Sequence, residues 1–407
     1  MARNRWALPQ GVAEFARSLA DQSMRIAELT VEIQQIPAPT DQEEARADWV
    51  AQAMQMLVME DVSIDAHRNV YGRIPGRQPG PALMVSAHTD TVFPMETDLT
   101  FRQDQASGHI FGPGIGDNSA GVAGLLAVAD GLQTLLHQDP DLVPPVDIWF
   151  VANSGEEGLG DLRGMRAAVD RLAKLPHGLG ASLVIEGMGM GRIVHRALGS
   201  KRLRISVQAP GGHSWGDFGA GSAVHVLTRL AADLSQLKVT KRPKSAFNIG
   251  RIWGGTSVNT IAQQAALELD MRSESPSGLA RLVEQTRDIV AHHRRAVVDD
   301  PDVSIHVEVI GDRPAGEIPK NHFLVRAAGQ ALTAAGLNEA PDLRISSTDA
   351  NVPLSRGIPA VCVGITQGGD AHRLSEWITP EPLGRGTAHL LILTWWAAEW
   401  LKNGQEG

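Results

Sequence analysis

Two hydrophobic periodicities that cannot belong to one kind of sheet divide this chain. Ala82 to Ala87 (ALMVSA), Val146 to Ala152 (VDIWFVA), Ser182 to Ile185 (SLVI) and Pro359 to Gly364 (PAVCVG) are short apolar runs without regular alternation. Strands of that type are covered on both faces, as in a largely parallel sheet. Amphipathic stretches at Gly121 to Leu136 and Asn321 to Ala335 supply covering helices, which is α/β organisation. From about Lys201 to Ile310 the period changes to two. Leu203, Ile205 and Val207 alternate with Arg204, Ser206 and Gln208; Leu267, Leu269 and Met271 alternate with Glu268, Asp270 and Arg272; Val303, Ile305, Val307 and Val309 repeat the pattern. One face of such strands is buried and the other wet, which marks an antiparallel sheet. Helical segments at Gly221 to Leu237 and Ser277 to Arg295, with a strand near Asn248 to Trp253, complete the order β, α, β, β, α, β. That order predicts a ferredoxin-like α+β domain inserted into the α/β one.

A chain of 407 residues exceeds what one core usually serves, so two cores are expected. With 43% hydrophobic and 20% charged residues the composition is that of an ordinary soluble protein. The net charge of -9 argues against nucleic acid or anionic membrane surfaces as partners. Cys362 is the single cysteine, so an intrachain disulfide and a cysteine-rich metal site are excluded, and a cytoplasmic location is expected. The opening MARNRWALPQGVAEFARSLA contains no uninterrupted apolar stretch of leader type, and no later run reads as a membrane span. Trp395, Trp396 and Trp400 fall at helical spacing and predict a terminal helix packed on the sheet.

Each buried run leads into acid or imidazole. ALMVSA runs into His88-Thr89-Asp90, VDIWFVA into Asn153 to Gly158 (NSGEEG), and SLVI into Glu186, while PAVCVG precedes Asp370-Ala371-His372. The loop Gly112 to Gly121 (GPGIGDNSAG) sets Asp117 just before a helix. Ligands of open α/β sheets bind beyond the carboxyl ends of the strands, so these groups are expected in one cleft. His88, Asp117, Glu157, Glu186 and His372 form a set of two imidazoles and three carboxylates, suited to zinc or a similar divalent ion. Five such ligands crowd one ion but serve two that share a carboxylate and a water. Asp90, two residues beyond His88, is placed to accept the other ring N–H and fix its tautomer. Adjacent Glu156 and Glu157 cannot easily aim both carboxylates at one ion, so one ligates and the other faces the water.

A competing pattern lies in Pro210 to Gly219 (PGGHSWGDFG), where Gly212, Ser214 and Gly216 spell G-x-S-x-G, with Asp349 and His372 downstream. Nucleophile elbows of this kind follow a fully buried central strand, whereas the strand before Ser214 alternates and is half exposed. A serine hydrolase would also leave the HTD, GDN and EEG groups without a role. A catalytically silent scaffold is the third reading, opposed by the complete set of ligands and base.

In this order, HTDTV at His88 to Val92, GIGDNSAG at Gly114 to Gly121, GEEG at Gly155 to Gly158, and STDAN, GIPAV and AH between Ser347 and His372 resemble the M20 family of zinc-dependent metallopeptidases and deacylases. The likeness covers nearly the whole chain. It implies a di-metal catalytic domain of zinc-peptidase type, a mixed, largely parallel sheet flanked by helices, at 1–199 and 313–407. The inserted lid at 200–312 would form a homodimer. By the family pattern His88 and Glu186 hold one ion, Glu157 and His372 the other, and Asp117 bridges them before a cis peptide bond. Two zinc ions are implied, with cobalt or manganese as alternatives. Glu156 becomes the general base. His213 of Gly211-Gly212-His213 reaches the partner subunit's site to polarise the scissile carbonyl. Asn259 of GTSVN lies near the oxyanion, and Arg272 of LDMR holds a substrate carboxylate. The substrate implied is a small peptide or N-acyl amino acid with a free carboxylate. Glutamate at 186 resembles the carboxypeptidase and deacylase branch, whereas SSTDANVPLSRGIPAVCVG resembles tripeptidases, so the subclass stays open.

Overall fold

The computed structural model describes residues 6–297 and 302–404. Residues 1–5, which open the segment read above as carrying no leader, lie outside the described residues. The chain divides into two compact units, Met1–Arg196 with Glu317–Gly407, and Ala197–Gly316.

The first unit is built on a nine-stranded sheet, seven of whose strands run in the order Glu60–Ile64, Val70–Ile74, Ile148–Asn153, Ala82–His88, Leu179–Met188, Ala360–Thr366 and Arg192–Ala197. Its four middle strands, from Ile148–Asn153 to Ala360–Thr366, are parallel, and the flanking pairs are antiparallel. This is the mixed, largely parallel sheet expected from the apolar runs. The Ala82–His88, Ile148–Asn153 and Ala360–Thr366 strands are buried at every residue, which is why polar alternation has no place in them. SLVI proves to be the middle of a ten-residue strand.

Helices cover the sheet. The segment Ile115–Gln138 is long and apolar enough by composition to cross a membrane, contrary to the sequence reading, but 78% of its apolar window is buried inside the protein. Its hydrophobicity is that of a central core helix, apolar all round. The terminal helix Leu383–Lys402 packs on the helices Gln10–Ala20, Phe323–Ala334 and Gly121–Gln138 and on the Ala360–Thr366 strand. Trp395, Trp396 and Trp400 are at most 5% exposed. Trp400 stacks on Phe323 with ring centroids 5.4 Å apart.

The second unit is a four-stranded antiparallel sheet in the order Ser245–Gly254, Gln264–Ser273, Gly199–Gln208, Ser304–Arg313. With the helices Ala223–Leu234 and Pro276–Ala296 inserted between its strands, that is the ferredoxin-like arrangement. Ser222 and Ser275 cap the two helices, and Pro276 occupies the first turn of the second, where its missing N–H costs nothing. Leu203, Ile205, Val207, Leu267, Leu269 and Met271 face the helices as the alternation requires. The edge strand departs from it. Val307 is 39% and Val309 53% exposed in the middle of the strand, just before the register shifts between Val309 and Gly311.

Candidate active site

The carboxyl ends of the four parallel strands bring the candidate ligands together. His88 is the last residue of its strand and pairs with Asn153, the last of the next; Glu186 pairs with Gly364 in the register between Leu179–Met188 and Ala360–Thr366. The Asp117 loop is docked by its neighbour Asn118. That side-chain amide donates to the Ile185 carbonyl at 2.9 Å and accepts the Gly187 N–H at 2.7 Å, so it behaves as a short piece of adjacent strand. A Cβ at Gly187 would overlap the Gly116 carbonyl oxygen, so only glycine allows this approach. The peptide bond between Asp117 and Asn118 is cis, as the resemblance implied. His372 sits at φ 66 and Asp370 at φ 58, a left-handed turn uncommon for non-glycine residues.

Of the three groups of donor atoms that result among the described residues, two contain Asp117: His88 with Asp117 and Glu186, and Asp117 with Glu157 and His372. The Asp117 carboxylate is common to both: Oδ1 lies 3.1 Å from His88 Nε2 and Oδ2 3.1 Å from His372 Nε2. Glu186 Oε2 is 3.6 Å from His88 Nε2, and Glu157 Oε1 3.0 Å from His372 Nε2. Donors about 2.0–2.1 Å from a tetrahedral ion are separated by about 3.3–3.4 Å, so these 3.0–3.6 Å edges have the size of metal coordination shells. The donor set of imidazole and carboxylate suits zinc and its divalent neighbours, and the residues therefore fit a pair of ions.

Electrostatics point the same way. Burial alone would lower the His88 pKa, but the carboxylates of Asp117, Asp90 and Glu186 raise it well above its ordinary value. Hydrogen bonds to Asp117 and Glu157 raise His372 to about 10. Asp117 is held low against burial by hydrogen bonds with His372 and His88, while burial raises Glu186. Carboxylates facing imidazoles at short range make a field that favours positive charge between these side chains.

Asp90 is placed differently from the sequence expectation. The strand ends at His88, and the ring Nδ1–H donates to the Asp90 backbone carbonyl at 3.1 Å, the carboxylate being farther at 3.6 Å. The carboxylate instead accepts the backbone N–H of Glu156 at 2.9 Å and of Glu157 at 3.0 Å, and the Thr40 hydroxyl at 2.8 Å. Asp90 thus holds both glutamates by their backbone as well as the His88 tautomer. Glu156 is buried, with a carboxylate oxygen in a cluster with His88 and Glu157.

In the second unit, His213 pairs with Thr260 in a two-stranded ladder, and the Ser214 N–H donates to the Asn259 carbonyl at 3.1 Å. The G-x-H and GTSVN segments are thereby one structure. His213 Nδ1 accepts the N–H groups of Trp215 and Gly216, both at 3.2 Å, so the neutral ring carries its proton on Nε2, facing outward as a donor. Arg272 stands near the far end of the Gln264–Ser273 strand, its Nε on Asp270 at 2.7 Å. At about 3.3 Å per residue that is roughly 25 Å from the end beside Asn259. The fold does not bring Arg272 to His213 and Asn259 within one chain.

Asp349 and His372 do not pair as a serine triad requires. Ser214 lies in an exposed turn after a two-residue strand. His372 directs Nε2 at Asp117 and Glu157, and Asp349 is buried with its carboxylate on the Asn153 amide at 2.7 Å. Asp349 therefore does not orient His372 for catalysis. Burial raises the Asp349 pKa to about 7.

Three supporting residues escaped the sequence reading. Arg46 is buried with its guanidinium on the Thr89 and Ile36 carbonyls, Thr40 braces Asp90, and Glu376 accepts the N–H groups of Gly116 and Asp117. Burial lowers Arg46 to about 10 and raises Glu376 to about 7. Only their distance in the fold makes them neighbours of the site, and no spacing signals it.

Comparison with known proteins agrees with this geometry. A probable carboxypeptidase of Aspergillus flavus is 26% identical over 343 residues, covering 76% of this chain and 77% of the relative. A succinyl-diaminopimelate desuccinylase of Corynebacterium glutamicum is 23% identical over 360 residues, covering 86% and 90%. Among solved structures, an aminopeptidase of Bacillus cereus superposes with a TM-score of 0.72 at 20% identity, covering 92% of this chain and 99% of its own. A Bacillus subtilis protein described as a dinuclear metal-binding peptidase of the M20 family gives 0.66 at 16% identity, covering 93% and 99%. Residues 84–394 match the model of peptidase family M20/M25/M40, and the chain belongs to that family of metallopeptidases and amidohydrolases.

Proposed function

We propose that the protein is a di-zinc hydrolase that cleaves an amide bond in small peptides or N-acyl amino acids carrying a free carboxylate. The observation that carries this reading is the Asp117 carboxylate shared between His88 and His372, each imidazole completed by a glutamate at coordination-shell distance. Two divalent ions bound there would polarise the scissile carbonyl and make an attacking water acidic near neutral pH. Glu156 takes the proton of that water and delivers it to the leaving amine. His213 donates its Nε2–H to the developing oxyanion, with Asn259 beside it. The Arg272 guanidinium pairs with the substrate carboxylate, which its planar fork suits.

The separation of His213 and Arg272 gives this reading an assembly. Roughly 25 Å along one strand far exceeds a dipeptide, which spans about 7 Å when extended, so both can touch one small substrate only if two copies of the chain contribute. A homodimer through the inserted unit, with His213 acting in trans, is the arrangement we propose. The carboxypeptidase and desuccinylase relatives support a substrate with a free carboxylate.

A screen of metal-replete protein on matched N-blocked and free-amine dipeptides and N-acyl amino acids tests the proposal. Turnover of N-acyl substrates, abolished by chelator and restored by zinc, cobalt or manganese, is expected. Cleavage of only the free-amine set would move the protein to the aminopeptidase and tripeptidase branch. Activity that resists chelation but is lost to a serine-directed phosphonate would overturn the metal reading.

A further inference from the structure

We infer that Glu376 is a positioning residue that sets the spacing between the two proposed ion positions, an inference that rests on the two-ion reading above. Its side chain is fully buried. Oε1 accepts the backbone N–H of Gly116 and of Asp117, each at 2.8 Å. Its own carbonyl accepts the Gly112 N–H at 2.9 Å, and its N–H donates to the Arg373 carbonyl at 3.0 Å. One residue thus grips the Asp117 loop at three points while belonging to the turn that presents His372.

Both segments turn through backbone at positive φ beside the contact. The Asp117 side passes through Gly114 at φ 70, and the His372 side through two non-glycine residues at positive φ. Beyond Glu376, Trp377 and Ile378 pair with Phe111 and Ile110, so the two segments run together as a small sheet that ends where the ligands begin. From that point Glu376 continues the connection through its side chain. The 3.1 Å approach of Asp117 Oδ2 to His372 Nε2 is the quantity it controls. Since Asp117 also meets His88, a displaced loop would disturb both ion positions at once.

The chemistry required is an acceptor at that point. Oε2 is buried without a hydrogen-bond partner, so the two N–H contacts all fall on one oxygen. Glutamine keeps that oxygen and places its NH2 where nothing is bonded. Alanine removes the acceptor, and aspartate withdraws it by one methylene.

Two readouts test the inference, and neither is turnover. In metal-free protein, hydrogen–deuterium exchange of the peptide spanning 112–118 should accelerate at least about tenfold in Glu376→Ala and stay near wild type in Glu376→Gln, since the acceptor is lost only in the first. In cobalt titrations against a competing chelator, Glu376→Ala should weaken uptake by about 10–100-fold, the usual effect of losing a group that orients a ligand, with Glu376→Gln near wild type. Glu376→Asp carries the same expectation as alanine and retains the buried polar group if alanine does not fold. Wild-type exchange and cobalt affinity in the alanine and aspartate variants would overturn the inference, as would a glutamine variant as impaired as alanine. If wild-type protein itself takes up no cobalt while exchange changes as expected, the loop clamp stands and the two-ion reading falls.

Discussion

Glu156 and Glu157 are neighbours in sequence whose backbones are both held by Asp90, with the Glu157 carboxylate on His372, and the proposed function gives the two separate tasks. Glu156→Gln removes a proton acceptor and leaves the two donor triads intact. It should keep its metal content, measured by elemental analysis, and lose about 100-fold or more in kcat. In the inserted unit, the proposal predicts that His213→Ala lowers kcat by about 100-fold or more, as loss of an oxyanion donor does, and that Ser214→Ala is mild. Steady-state kinetics of the pair decide between them, and the opposite ranking would return the loop to a nucleophile. These residues stood out as candidates in the sequence because their types can carry the proposed chemistry. Asp90 was legible only in part. Its carboxylate serves the two glutamate amides, a task set by a loop crossing from another strand that no local spacing records.

Elements show why burial reads more easily than registration. Buried parallel strands must be apolar throughout, so their runs were visible; the exposed middle of Ser304–Arg313 broke a clean alternation because an edge strand answers to local cover rather than to period. The terminal helix carries a pH-sensitive element of the same origin. His389 is buried, with Nε2–H on the Ala328 carbonyl and Nδ1 without a partner, and burial lowers its pKa from 6.5 to about 4. The folded protein then binds fewer protons than the unfolded chain below pH 6.5, so stability is complete above that pH and is lost as pH falls towards 4. The shift corresponds to about 3 kcal/mol at most. Urea denaturation between pH 7 and 4 should show this loss, and His389→Gln should flatten the slope.

At the scale of the whole molecule the prediction concerns complementation. If Arg272 acts in its own subunit's site and His213 in its partner's, His213→Ala and Arg272→Ala are each impaired. Dimers formed by mixing and refolding them contain one intact site when they hold one copy of each. Random pairing makes half the dimers mixed, so about a quarter of wild-type activity should return in a symmetric dimer. Activity no greater than the mean of the two variants would place both residues in one subunit's site or remove the dimer. Metal removal acts on the same scale: dialysis against chelator should lower Tm and abolish activity, and each ion held at 100 times its Kd should restore about 2.7 kcal/mol.

The chain's two periodicities and its inventory of acids and imidazoles are properties of residue type, and they determined the fold class, the two kinds of sheet and the set of candidate ligands before any folding was considered. Which side chains stand within 3.0–3.6 Å of each other was decided by tertiary structure alone. Asn118 completing the edge of a distant strand and Glu376 reaching back some 260 positions to two backbone amides are contacts between segments remote in sequence. The strength of such contacts depends on a shared position in the packed protein, which local sequence pattern does not encode.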